Sequence, residues 1–343
     1  MPRKAVVLIR APGRAQGPAP VPPAQLPPTP LVEVANRPLL DHALRWLADG
    51  GVRDVAILAA PDLKHAMLSA LAACGAYWPD LCWLGQDPSA LAEFLQGESF
   101  VLHRADCLFK DDLASIVGEP PEGDLDALIV ADDDGELGPG VVDLDRQRTA
   151  EREPLVGAPS SLAVLGPDVA EALAPARANG DDGESLARWV HDRGGSVVVR
   201  RVGEWWSYRS SCAALLAGNA FALRDLHTDL TRATLRNTRV EGPVVAEAGS
   251  LLVSCVIRGP AVIGAGARLF DSYVGSGTSI GRNAFIEGAE VEHSIIFPGA
   301  YLSHLGTRLE GSVVGRRARV CRDFRIPKAL RVSIGDGAEV SLS

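Results

Sequence analysis

The stretch VAEAGSLLVSCVIRGPAVIGAGARL, residues 245–269, carries an aliphatic side chain at every sixth place: Val245, Leu251, Ile257, Ile263 and Leu269. The beat continues through Val274, Ile280 and Ile286, then Ile296 and Leu302, then Val314 and Val320. Val291 and Leu309 fall between these runs, where the step slips to five or seven. Neither a 3.6-residue helical period nor a two-residue strand period produces a beat of six. A hexapeptide repeat of this kind predicts a parallel β-helix, with three short strands to a coil of about eighteen residues. Each aliphatic residue points inward and stacks on its equivalent one coil below. A small residue often follows it, as at Gly264, Gly275, Gly281 and Gly315, and lets the backbone turn a tight corner.

The chain has 343 residues, room for two domains of ordinary size. Its net charge of -9 argues against broad binding to nucleic acid or to an anionic membrane. The six cysteines are scattered, with no C-x-x-C pair and no histidine at metal-ligand spacing, so free thiols in a reducing cytoplasm are expected. The first apolar run, residues 5–9, is too short for a signal peptide or a membrane span. A cytoplasmic protein is the expectation.

The front of the chain alternates strands and helices. Strands are expected at residues 5–9, 55–59, 100–103, 127–131, 141–144, 162–165 and 197–202. Helices are expected at 39–49, 63–74, 90–95, 168–173, 184–193 and 213–225. Leu40, Ala43, Leu44 and Leu47 share one face of the first helix, and Gly50 and Gly51 end it. Eight prolines between residues 11 and 30 keep that segment extended. This pattern predicts an α/β domain around a mostly parallel sheet at 1–228, followed by the β-helix and a C-terminal tail at 229–343.

Five stretches carry a family resemblance: residues 38–57 (PLLDHALRWLADGGVRDVAI), 203–219 (GEWWSYRSSCAALLAGN), 272–281 (SYVGSGTSIG), 290–302 (EVEHSIIFPGAYL) and the β-helix beat itself. The chain resembles the long form of glucose-1-phosphate thymidylyltransferase, within the sugar-phosphate nucleotidyltransferases. The resemblance covers nearly the whole chain. It implies a Rossmann-like nucleotidyltransferase domain joined to a left-handed β-helix. The reaction it implies is attack of a sugar 1-phosphate on the α-phosphorus of a nucleoside triphosphate, with Mg²⁺ and cationic side chains holding the crowded phosphates.

The residues that would do this are mostly altered. The family's glycine-rich loop, G-G-x-G-T-R, matches Arg10-Ala11-Pro12-Gly13-Arg14-Ala15. One glycine of three remains, Pro12 lacks an N–H, and Ala15 stands at the arginine position with Arg14 beside it. The P-K-x-L-x-P-V-x-N-K-P run matches residues 28–38, fixed in frame by Leu31, Val34, Asn36 and Pro38. Thr29 stands at the lysine position, and Glu33 replaces a proline, where a carboxylate would repel phosphate. Asp106 keeps the first metal-binding position. Tyr208 replaces the second, in the W-W-x-D element that begins at Trp205 and Trp206. Gly85 falls in the base-contacting segment, shifted from L-G-T-A to Leu84-Gly85-Gln86-Asp87, and Arg152 is the counterpart of a sugar-phosphate lysine. The G-E-L-E-x-T-D element is shortened to Gly183-Glu184-Ser185. Nucleotide or sugar contacts are thus expected from Gly13, Arg14, Gly85 and Arg152, and a metal contact from Asp106.

Removing one preorganised charge-stabilising group costs about 10² to 10³ in rate. Losing a lysine, one metal carboxylate and the arginine together is expected to cost well over ~10⁴. Three readings follow. The first is a degenerate homologue with a regulatory or structural role, which binds an active paralogue or senses a nucleoside triphosphate or sugar phosphate. The second is a working enzyme that uses Arg10, Arg14 and Arg152 as substitute cations, with Mg²⁺. The third is an acyltransferase with His293 or His304 as base. Homo-oligomers, or hetero-oligomers with an active paralogue, are expected through the β-helix surfaces.

Overall fold

A computed structural model of the protein describes residues 1–9, 29–73, 78, 81–85, 88–118, 123–131, 141–143, 148–149, 162–173, 183–202, 204–208, 211–322 and 330–333. They fall into two units. The first nine residues group with Thr29–Leu31 and Leu39–Trp206, and Val32–Pro38 groups with the described part of Ser207–Ser343.

The first unit is built on a nine-stranded sheet. Its middle runs Phe100–Arg104, Lys4–Leu8, Asp54–Leu58 and Leu81–Gly85, all parallel. Leu162–Leu165 lies antiparallel between Phe100–Arg104 and Ala127–Ala131. Alternate residues of each strand enter opposite cores, as the strand period requires. Ala5, Val7 and Val101 pack with Leu40, Leu44 and Leu47 of the helix Leu39–Asp49. Val6, Leu102, Ile129 and Leu165 pack with Leu91, Leu95 and Val190 on the other face. Helices therefore cover both sides of the sheet, as a parallel sheet requires. The helix Leu39–Asp49 ends as its two glycines predict. Gly51 turns to φ +85 and its N–H reaches the Ala48 carbonyl at 3.0 Å, while the Val52 N–H reaches the Leu47 carbonyl at 3.0 Å.

The expected helix at 168–173 is instead a 3₁₀ helix, Pro167–Leu173. Seven residues with Ala170 and Leu173 buried satisfy a three-residue period as well as a 3.6-residue one, so pattern alone does not separate the two.

The second unit is a parallel β-helix. Its strands stack into three parallel sheets in which every third strand is a neighbour. The first strands of successive coils pair as Thr234↔Leu251, Leu251↔Arg268, Arg268↔Phe285, Phe285↔Tyr301 and Tyr301↔Arg319. The coil is thus seventeen residues in its first three turns, shorter than the eighteen expected. The inward columns are Leu252, Leu269, Ile286, Leu302, Val320; Ile257, Val274, Val291; and Ala246, Ile263, Ile280, Ile296, Val314.

This corrects two positions of the beat. Val245 and Leu251 are half-buried and point away from the core, and their neighbours Ala246 and Leu252 point in. Val245-Ala246 and Leu251-Leu252 are pairs of adjacent apolar residues, so composition alone does not choose the inward member. The backbone register decides.

The corner glycines act through close approach. A Cβ on Gly281 would lie 2.5 Å from the Pro298 nitrogen and 2.7 Å from the Phe297 carbonyl carbon of the next coil. His293 and His304 sit at turns with φ +48 and +50, and their rings lie over Gly277 and Gly288. The last strand, Arg319–Arg322, is covered along its edge by antiparallel Leu330–Ser333.

Candidate active-site region

In a parallel sheet the carboxyl ends of the strands share one edge, and the loops leaving that edge form binding sites. Here the end residues form one row. Arg104 pairs with Leu8, Leu8 with Leu58, and Leu58 with Gly85 across a bulge. The loop that resembles the phosphate cradle leaves from the middle of this row, after Leu8. Gly13, Arg14, Ala15 and Arg152 lie outside the described residues, as do Arg10, Gln86 and Asp87. Gly85 is described at the row's far end with φ +63, a conformation that favours glycine. Its carbonyl accepts the Ala59 N–H at 3.1 Å.

Asp106 stands at the other end of the row. The strand Phe100–Arg104 stops, the Asp106 N–H folds back to the Arg104 carbonyl at 2.8 Å, and the chain enters Cys107–Phe109. The carboxylate then meets the side chain two residues earlier: Arg104 Nη2 lies 3.0 Å from Asp106 Oδ2. Both side chains are mostly buried, at 16% and 22% exposure, so solvent screens this pair less than a surface one. The other oxygen, Oδ1, is buried with no hydrogen-bond partner among the described residues. Arg104 lies two residues before Asp106 in the sequence, but the family pattern marks Asp106 alone.

Thr29 opens a short 3₁₀ helix, Thr29–Leu31, and brings a hydroxyl where the family pattern has an ammonium. Tyr208 follows the strand Trp205–Ser207 and belongs with the second unit. Burial raises its phenol pKa, and the nearby Cys212 raises it further, so it stays neutral at ordinary pH. Trp205 packs against the first unit's core.

A two-carboxylate Mg²⁺ site fits these side chains poorly. Mg²⁺ requires several oxygens in near-octahedral array and favours carboxylate, phosphate and water. One position offers a neutral phenol. The other offers a carboxylate whose charge is already matched by Arg104. Among the described residues no three His, Cys, Asp or Glu side chains gather as metal ligands.

Glu33 departs from expectation. It is buried at 6% exposure and paired with Arg316 Nη2 at 2.8 Å within the second unit, so its charge is compensated there.

The first unit is thus a mostly parallel α/β sheet whose strand ends form such a row, and the second is a parallel β-helix. No family model matches the chain. Along its length it is 27% identical over 333 residues to a glucose-1-phosphate thymidylyltransferase of Streptomyces antibioticus, covering 91% of this chain and 93% of the relative. The enzyme of that name from Streptomyces griseus is 26% identical over the same shares. The low-salt glycan biosynthesis nucleotidyltransferase Agl11 of Haloferax volcanii is 24% identical over 338 residues, 92% of this chain and 94% of the relative. The chain is a homologue of the sugar-phosphate nucleotidyltransferases, with the glucose-1-phosphate thymidylyltransferases among its relatives. No helix among the described residues is long and apolar enough to cross a membrane.

Proposed function

We propose that the chain is a catalytically degenerate sugar-1-phosphate nucleotidyltransferase homologue with a regulatory or structural role. One observation carries the reading: of the two carboxylates the reaction needs, one is tied to Arg104 and the other is Tyr208. Joining a sugar phosphate to a nucleotide crowds two polyanions, and the rate comes from fixed positive charge aimed at them. Thr29 contributes none. A fold that retains its packing and lacks these charges suits a protein that senses a nucleoside triphosphate or sugar phosphate, or that assembles with itself or an active paralogue in the cytoplasm.

A second reading is an active glucose-1-phosphate thymidylyltransferase making dTDP-glucose from dTTP and glucose 1-phosphate. It is favoured by one atom, the buried Oδ1 of Asp106, which has no hydrogen-bond partner among the described residues.

Pyrophosphate release separates the two. The recombinant chain is supplied with Mg²⁺, glucose 1-phosphate and each nucleoside triphosphate in turn. The first reading expects no release above background and weak, Mg²⁺-independent heats in titration calorimetry. Steady nucleotide-sugar formation that falls on Asp106→Asn overturns it and establishes the second.

A further inference from the structure

The motif at residues 28–38 has lost its cation, yet its downstream half keeps the family frame. The second unit supplies a physical reason. Glu33–Val34 and Arg37–Pro38 form a hairpin, with Glu33 paired to Pro38 and Val34 to Arg37. Its two tip residues, Ala35 and Asn36, have φ +48 and +63. A two-residue turn of this hand suits Asn and Gly, and alanine there is strained. Strain of this kind persists where surrounding contacts over-determine the backbone.

Those contacts are present. The Ala35 N–H donates to Asn219 Oδ1 at 2.9 Å. Asn219 is fully buried; its Oδ1 also accepts from Ser279 Oγ at 2.5 Å, and its Nδ2 donates to the Gly277 carbonyl at 2.9 Å. Asn36 Nδ2 donates to the Ile280 carbonyl at 2.7 Å. At the hairpin's base, buried Glu33 meets Arg316 of a later coil. A buried amide with three good hydrogen bonds and a buried carboxylate with a cation are arrangements that destabilise strongly when half-removed. The tip, the helix Cys212–Leu223 that carries Asn219, and the coil strand Thr278–Ile280 are joined through one side chain.

We propose that the downstream half of this motif is a docking element: the hairpin Glu33–Pro38 is latched to the β-helix, with Asn219 as the positioning residue. Glu33, Ala35 and Asn36 then hold the hairpin to the second unit, independently of any phosphate chemistry at Thr29.

Hydrogen–deuterium exchange on the full chain tests this without an activity readout. In Asn219→Ala, exchange of the Ala35 amide is expected to quicken about 10- to 100-fold, while amides of the coil strand Arg268–Phe270 keep their wild-type rates. Unchanged exchange at Ala35 with intact coils overturns the proposal. If Asn219→Ala fails to fold, Asn36→Ala cuts only the bond to Ile280. It is then expected to quicken the same hairpin peptide about 3- to 10-fold, and an unchanged rate there overturns the proposal equally.

Discussion

His103 sits in the centre of the first unit with nowhere to put a charge. It is 1% exposed, its ring lies 5.7 Å from that of Trp46, and Phe109 meets it edge-on at 5.8 Å. Its Nδ1 has no hydrogen-bond partner among the described residues. Burial lowers its pKa from 6.5 to about 4, against a smaller upward pull from a backbone hydrogen bond at Arg104. The folded state therefore holds a neutral imidazole, and the unfolded chain binds the proton first. The resulting loss of stability is absent above about pH 6.5, grows as pH falls toward 4, and is complete below that. The full difference is about 3 kcal/mol, of which about 2.5 is already lost at pH 4.5. Carboxylates titrate in the same range, so the informative quantity is a comparison with His103→Phe, which keeps a ring and removes the proton site. Any overpacking cost of the larger ring is independent of pH. Urea unfolding followed by tryptophan fluorescence suits the purpose, because Trp46, Trp78, Trp83, Trp189, Trp205 and Trp206 all belong to the first unit. Wild type should lose about 2.5 kcal/mol more than the variant between pH 7.5 and 4.5. Parallel stability curves for the two proteins across that range would refute the reasoning.

The β-helix register makes adjacent leucines unequal. Leu252→Ala should cost about 2–5 kcal/mol and Leu251→Ala less than about 1.5, measured by chemical unfolding; equal costs would contradict the inward column. Gly281→Ala drives a Cβ into the next coil's backbone, and a loss of about 3 kcal/mol or more is expected from the same measurement. Arg104→Ala leaves Asp106 without its cation in a mostly buried place and should destabilise by about 1–3 kcal/mol, whereas the double variant with Asp106→Asn should recover part of that loss. Thr29→Lys combined with Tyr208→Asp should tighten Mg²⁺-dependent dTTP binding at least about tenfold in calorimetry, if lost charge is what weakens the site.

Much of the fold could be read from local pattern. The helix Leu39–Asp49 has its apolar face and its glycine stop within fourteen residues, and nothing elsewhere in the chain competes with them. The six-residue beat gave the β-helix, because each coil repeats the same burial problem. It is off by one residue at Val245 and Leu251, where the apolar neighbours Ala246 and Leu252 point inward instead. Pro167–Leu173 was legible as helical and illegible as 3₁₀, since the two periods diverge only over longer runs. The polar centre of the second unit left no local signature. Asn219 meets Ala35 across 184 positions and Ser279 across 60, and Asn219 reads as an ordinary helical residue until the chain is folded.

The same long-range pairing changes the electrostatics around these positions. From sequence, Glu33 counts against phosphate binding, as a carboxylate added beside the lysine position. In the fold that carboxylate is buried and neutralised by Arg316, so it adds little negative field of its own. The Arg104–Asp106 pair likewise sums to no net charge. Repulsion by added acids therefore explains little. On the function proposed above, the deficit is one of positive charge at Thr29 and of a carboxylate at Tyr208, and a deficit of that kind can be restored by substitution at those two positions. An excess of buried negative charge could be relieved only by dismantling the contacts that hold Glu33–Pro38.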